Sequence, residues 1–77
     1  MKEKLEKFLD TDFFYVSKGL ENENDLKRRN EIYRNARHRV LGACEFANAL
    51  GLDYETALEM FNEYCDRLEA AEYAQAL

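Results

Sequence analysis

The apolar side chains of this chain recur mostly at the three- and four-residue spacing of an amphipathic helix. The spacing is clearest from about residue 25 to residue 50, where polar side chains lie opposite a single apolar stripe. The stripe consists of Leu26, Ile32, Tyr33, Ala36, Val40, Ala43, Cys44, Ala47 and Leu50. Asn24 or Asn22 is a candidate N-cap. Gly51 is suited to end the helix, because glycine enters the left-handed region without penalty.

A second helix is predicted from about residue 54 to residue 73, with Asp53 as its N-cap. Its apolar and polar faces hardly mix, as expected for a helix packed on one side only. The apolar face consists of Tyr54, Ala57, Leu58, Phe61, Tyr64, Cys65 and Leu68. Because only residues 51–53 connect the two segments, we expect a long antiparallel helical hairpin.

The N-terminal segment predicts a third helix over about residues 3–18, followed by Gly19 as its C-terminal glycine. Its apolar stripe consists of Leu5, Phe8, Leu9, Phe13, Val16 and Leu20. Two alternatives are open. Residues 10–12 (Asp-Thr-Asp) favour helix caps over helix interiors, so a break there would give two short helices. The aromatic run at residues 13–16 could instead form a strand.

These segments predict an all-α fold, a single three-helix domain over residues 1–77. Leu41 and Phe46 flank the stripe of the long helix, and we expect the N-terminal helix to pack there. A chain of 77 residues buries only about 60% of its unfolded surface. Oligomerisation often compensates for so small a core, so a homodimer is an open alternative.

The polar residues offer little for catalysis or metal binding. His38 is the only histidine and lies on an arginine-rich face, where no carboxylate orients it. Inward-facing Glu-x-x-His pairs, Cys-x-x-Cys spacings and glycine-rich phosphate loops are absent from the sequence. Cys44 and Cys65 lie on core stripes at unequal distances from the turn, so we expect buried thiols and no disulfide. We therefore predict no enzymatic activity, no catalytic or metal-binding residue and no cofactor.

The chain also carries no sign of export or membrane insertion. Its N-terminal segment lacks the uninterrupted apolar region of a signal peptide. No apolar run approaches the ~20 residues that span a bilayer. Two cysteines do not make a disulfide framework, which suits a reducing compartment. We expect a cytoplasmic protein with no membrane partner.

Charge is strongly segregated along a chain whose net charge is −5. Residues 24–42 contain six bases against two acids, whereas residues 43–77 contain eight acids against one base. Such a surface suits either contact with another charged macromolecule or simple solubility. Our first hypothesis is that the last helix binds a protein partner, namely a basic protein that handles nucleic acid. The residues predicted for this contact are Glu55, Glu59, Asn62, Glu63, Asp66 and Glu69, here called the acidic face.

Residues 43–62 resemble the helix-turn-helix pattern of DNA-binding proteins. The pattern has a small residue four positions before a turn glycine, apolar flanks, and apolar positions six and nine residues later. These positions hold Ala47, Leu50, Gly51, Leu52, Ala57 and Met60. The resemblance implies DNA reading by the second helix of the pair. Its exposed face carries Glu55, Glu59 and Glu63, however, and base and phosphate contacts need basic or amide side chains.

The basic block of the long helix supplies the alternative hypothesis, a small DNA-binding transcriptional regulator. The candidate phosphate contacts are Arg28, Arg34, Arg37 and Arg39. Arg29 falls within the apolar stripe, so we expect its stem to pack in the core and its guanidinium to pair with an acid. Because the arginines are spread around the helix, direct nucleic-acid binding is the less favoured hypothesis.

In size, acidity and lack of catalytic motifs, the chain resembles small phage or mobile-element inhibitors, including anti-CRISPR proteins. No motif carries that comparison, and those inhibitors share no single fold. The resemblance implies a stoichiometric inhibitor that presents an acidic helix to its target. A structural dimerisation module is the third hypothesis.

Overall fold

The protein is an all-α bundle in the computed structural model, which describes residues 1–76. Helix α1 spans Lys2–Glu21, α2 spans Leu26–Ala49 and α3 spans Tyr54–Ala76. Each short connection reverses the chain, so α2 is antiparallel to both of its neighbours. The molecule extends 40 × 17 × 16 Å along its principal axes. A helix of 24 residues is about 36 Å long, so all three helices lie near the long axis.

One stripe from each helix forms the core, as the spacing predicts. The buried side chains are Leu5, Leu9, Val16 and Leu20 of α1, Tyr33, Ala36, Val40, Cys44 and Ala47 of α2, and Ala57, Met60, Tyr64 and Leu68 of α3. Phe13, Ile32 and Phe61 are half-buried against this core. Burying a large apolar side chain contributes roughly 1.5–3 kcal/mol, so these stripes supply most of the driving force for assembly.

The turn between α2 and α3 confirms the predicted roles of Gly51 and Asp53. Gly51 has a φ of 117°, and the amide of Leu52 donates to the carbonyl of Ala47 over 3.0 Å. The amide of Gly51 donates to Asn48 over 3.0 Å, which completes a Schellman motif. Asp53 then caps α3, because its carboxylate accepts the Thr56 amide at 3.1 Å. The hairpin geometry is therefore encoded locally.

Helix α1 is continuous through residues 10–12, which confirms the predicted helix and excludes the two alternatives, the break and the strand. The predicted end at Gly19 is wrong, because α1 continues through this glycine to Glu21. The acidic segment stays helical because Asp12 bonds to the other helices, as described below, and does not cap its own backbone. The N-cap of α2 is Asp25, which accepts the Lys27 amide at 3.0 Å, and neither Asn22 nor Asn24.

The expected packing site of α1 on α2 is also wrong. Phe46 is 66% exposed and Leu41 is 39% exposed, because α1 lies on the side of α2 that carries Arg39 and Ala43. Five other side chains of the predicted stripes stand outside the core. They are Phe8, Leu26, Leu50, Tyr54 and Leu58. Met60 does not belong to the predicted stripe, yet it is buried. Compared with that stripe, the buried side of α3 is turned toward α1, where Met60 lies near Leu9.

Replacing glycine with alanine should have opposite effects on stability at Gly51 and at Gly19. The difference tests where α2 and α1 end. Gly51→Ala should destabilise the protein by about 1 kcal/mol, because alanine is strained at positive φ. Gly19→Ala should stabilise it by roughly 0.5–1 kcal/mol, because Gly19 lies inside α1 with open space around it. Urea denaturation followed by circular dichroism measures both changes. Destabilisation by Gly19→Ala would mean that α1 ends at this glycine.

Candidate functional site

One carboxylate joins all three helices near the middle of the rod. Asp12 of α1 accepts the hydroxyl of Tyr64 of α3 at 2.5 Å. The guanidinium of Arg39 of α2 donates to both oxygens of the same carboxylate, at 2.5 and 2.9 Å. The Asp12 side chain is only 8% exposed. A bidentate arginine–carboxylate pair is among the stronger and most directional contacts in proteins, so this junction fixes how the helices face one another.

Neighbouring side chains extend the junction toward solvent. Arg67 of α3 donates to Asp10 of α1 over 2.8 Å and stacks 4.3 Å from the centre of the Phe13 ring. Phe13 in turn meets the Tyr64 ring edge to face, with the ring centres 6.1 Å apart. The acids of α1 thus bind the arginines of the other two helices, and Arg67 is unavailable to the acids of its own helix.

The junction also shifts the ionisation of its members. Burial alone would raise the pKa of Asp12, but the hydrogen bonds from Arg39 and Tyr64 outweigh burial and lower it. The hydrogen bond to Asp12 raises the pKa of Arg39. Burial, and then the Asp12 carboxylate, raise the pKa of Tyr64 well above its ordinary value. Tyr64 therefore stays protonated and acts as a structural donor.

The acidic face of α3 remains open to solvent. All six of its side chains are exposed, and the ion pairs of residues 1–76 involve none of them. The face extends about 21 Å along the helix axis from Glu55 to Glu69. It lies opposite the side of α3 that carries Tyr64 and Leu68, as the sequence pattern predicts. The structure thus places the predicted residues together on one exposed surface, and none of them forms an ion pair within residues 1–76.

A groove borders the acidic face where α3 meets the start of α1. Its volume is about 360 Å³, and its floor is formed in part by Leu9 and Met60. Glu59 and Glu63 of the acidic face line it together with Glu6 of α1, and the cations Lys2 and Arg67 line it as well. Sequence reasoning missed Glu6, because only the folded arrangement brings the two helices side by side.

The basic residues of α2 do not form a matching patch. Arg39 is bound to Asp12, and Arg28 lies 3.6 Å from Glu23. Arg37 is half-buried beside Cys65, and Arg34 is exposed. Two of the four predicted phosphate contacts are therefore already paired within the chain.

Arg29 corrects another expectation. It is half-buried, as predicted, but pairs with no acid. Its Nη1 donates to the carbonyls of Leu20 at 2.8 Å and Glu23 at 2.6 Å, at the C-terminal end of α1. A cation there also complements the negative end of the helix dipole. Arg29 therefore caps α1 from the start of α2.

The remaining candidate groups stand apart from one another. His38 is exposed, as predicted. Cys44 is buried and Cys65 half-buried, both as free thiols, and burial raises the pKa of each. Raised thiol pKa values lower the thiolate fraction and hence the reactivity. Within residues 1–76, no three His, Cys, Asp or Glu side chains gather as metal ligands would. In the same residues, no helix has an apolar stretch of bilayer-spanning length.

Comparison of the chain with protein-family models, curated proteins and solved structures finds no significant match. The geometry of the α2–α3 hairpin does not fit the helix-turn-helix motif that residues 43–62 resemble in sequence. Helices of that motif cross at about 90–120°. Here α2 and α3 pack antiparallel along a rod only 17 Å wide. The pattern of residues 43–62 is accordingly that of a tight helical hairpin with a glycine turn.

Neutralising the central carboxylate tests the junction. Asp12→Asn should lower the free energy of unfolding at about pH 7 by about 2 kcal/mol, because Arg39 loses a charged partner. The wild-type pKa of Asp12 is lowered by folding, so its contribution exists above the unfolded pKa and disappears as pH falls through the folded pKa. Urea titrations across the acidic range should therefore converge for the two proteins.

The matched control for that series is Asp10→Asn, which neutralises a carboxylate two positions away. The Asp10 side chain is 71% exposed, so its pairing with Arg67 should contribute well under about 1 kcal/mol. An equal effect of the two substitutions at every pH would contradict the central role of Asp12.

Proposed function

We propose that the protein is a non-enzymatic binding module that presents the acidic face of α3 to a basic surface on a protein partner. One observation carries this proposal: the six polar side chains are exposed and unpaired, while Asp10 and Asp12 of α1 bind Arg67 and Arg39. Arg39 and Arg67 are thus bound to acids of α1, and Lys2, which lines the groove beside Glu59 and Glu63, forms no ion pair with them. An open row of carboxylates on a rigid helix favours fast, electrostatically steered association with a cationic surface.

The partner that fits this surface is a protein that itself binds nucleic acid. Such proteins carry clustered Lys and Arg for phosphate contact, and their grooves accommodate an elongated anion. The acidic face, about 21 Å long and one helix wide, has that shape. On this proposal the protein competes with nucleic acid for its partner, which would make it a stoichiometric inhibitor of the phage or mobile-element kind. Direct nucleic-acid binding is disfavoured, because Arg28 and Arg39 are paired internally.

A charge-neutral variant of the acidic face tests the proposal. Glu55→Gln, Glu59→Gln, Glu63→Gln and Asp66→Asn together should weaken partner capture by about 2 kcal/mol or more, since each lost charge contact contributes up to ~1 kcal/mol. The measurement is affinity capture from bacterial lysate, with captured proteins identified by mass spectrometry and complexes re-formed from purified components. Circular dichroism should be unchanged, because all four side chains are exposed.

The matched control neutralises four acids outside the acidic face, at Glu3, Glu21, Glu31 and Glu45, none of which lines the groove beside α1. Both variants change the net charge by the same amount, so a difference in partner capture between them must come from the position of the lost charges. We expect the wild type and the control to recover the same basic protein and to displace duplex DNA from it in a gel-shift assay. Equal capture by the acidic-face variant, or no basic partner for any of the proteins, would reject the proposal.

A further inference from the structure

The outward side of α1 carries lysines and exposed aromatic rings and no acid. Successive residues of an α-helix advance by about 100° around its axis, and seven residues of α1 fall within one arc of about 120° opposite its buried stripe. They are Lys4, Lys7, Phe8, Thr11, Phe14, Tyr15 and Lys18, here called the lysine–aromatic face. All seven are exposed, the rings by 43% at Phe8, 55% at Phe14 and 68% at Tyr15. Clustered exposed apolar side chains mark interaction surfaces.

The charge of this face is positive, although the chain as a whole is acidic. Lys4 and Lys7 take part in no ion pair of residues 1–76, and Lys18 lies 3.8 Å from Glu21. The acids of α1 lie outside the arc, Asp12 toward α2 and the others toward α3, namely Glu3, Glu6, Asp10 and Glu21. Two of them, Glu3 and Glu21, border the face at its Phe14 edge. The arc itself therefore holds three positive charges and no negative one.

The surface continues onto the neighbouring side of α2 with a further ring. Arg39 bonds to Asp12, which places its side of α2 next to α1. Phe46 follows Arg39 by seven residues, which is two helical turns, so it lies on the same side of α2, and it is 66% exposed. Of the two acids of α2, Glu31 is the nearer to this side and is half-buried. Two helices side by side make this a flat side of the rod, within its extents of 40 × 17 Å.

We propose that the lysine–aromatic face lies against the surface of an anionic lipid bilayer. The ammonium groups contact anionic headgroups, and the rings enter the boundary between headgroups and acyl chains, as in helices that lie in the plane of a membrane. The face extends about 21 Å along the axis from Lys4 to Lys18, so α1 lies parallel to the bilayer. The sequence-based expectation of no membrane partner rested on the length of apolar runs, which decides spanning and not surface contact.

Two contacts within the face favour a bilayer over single-stranded nucleic acid, another anion that combines charge with apolar groups. The Nζ atom of Lys18 lies 5.5 Å from the centre of the Phe14 ring. The Tyr15 ring meets the Phe14 ring edge to face, with the ring centres 5.6 Å apart. The Phe14 surface on which a base would stack is therefore partly occupied. An acidic protein would pair with the lysines but would not account for the exposed rings.

The first experiment measures cosedimentation of the protein with vesicles of mixed phosphatidylglycerol and phosphatidylcholine. The wild type should bind these vesicles and bind pure phosphatidylcholine vesicles far less. Lys4→Gln with Lys7→Gln should weaken binding roughly thirtyfold, because each lysine near an anionic surface contributes about fivefold.

The matched control is Lys27→Gln with Arg34→Gln, which removes two exposed, unpaired cations from the other side of α2. It should bind within about threefold of the wild type, because charges farther than ~10 Å from the bilayer are screened. No binding of the wild type to the mixed vesicles, or an equal loss in both variants, would overturn the proposal.

A second pair of variants tests the rings. Phe14→Ser with Tyr15→Ser should weaken vesicle binding at least about tenfold, because two rings no longer leave water. Tyr54→Ser with Tyr73→Ser removes two similarly exposed rings from α3 and should leave binding unchanged. The same proteins are tested against a single-stranded oligonucleotide by fluorescence anisotropy. Oligonucleotide binding that the Phe14 and Tyr15 substitutions abolish, with vesicles left unbound, would assign the face to nucleic acid and refute the bilayer.

This inference goes beyond the proposed function and rests on other residues. The lysine–aromatic face belongs to α1 and the acidic face to α3, and they share no side chain. The four acidic-face substitutions should leave vesicle binding at least as strong, since they remove negative charge from the protein. Loss of vesicle binding with retained partner capture, or the converse, therefore separates the two proposals.

Discussion

The architecture depends on the carboxylate of Asp12, which is bound by Arg39 of α2 and Tyr64 of α3. Apolar burial supplies most of the stability, but it is non-directional and leaves helices free to rotate and slide. A bidentate arginine pair with a buried carboxylate has one good geometry. Removing Arg39 would leave a carboxylate without its cation at a site that is only 8% exposed. The junction thus selects one packing among the several that three amphipathic helices allow.

The same junction accounts for the distribution of surface charge. The acids of α1 bind Arg39 and Arg67, so these two bases are used within the fold. Arg29 serves as a cap for α1 and Arg28 pairs with Glu23, so two further bases of the basic block are used locally. None of these four arginines forms an ion pair with an acid of α3 within residues 1–76. A chain of modest net charge thereby presents one strongly anionic helix, which net charge alone would not indicate.

Sequence reasoning recovered features that are encoded locally and missed those that depend on tertiary contacts. The Schellman turn at Gly51, the Asp53 cap and the acidic face follow from residue type and helical spacing. The sequence leaves a break at residues 10–12 as an alternative, because Asp12 is a poor interior residue until Arg39 and Tyr64 are placed beside it. The side of α2 that α1 covers is set by that contact, so the exposure of Leu41 and Phe46 could not be read from the stripe.

The acidic face and a shallow groove between α2 and α3, lined by Leu41, Glu45 and Leu58, occupy adjacent sides of α3. Asn62 and Glu69 of the acidic face lie nearest the groove side, whereas Glu59 and Glu63 line the cleft beside α1. A basic surface bound to the acidic face would therefore leave the apolar side chains of the groove uncovered. The two sides of α3 are thus separate surfaces, and contact at one need not exclude contact at the other.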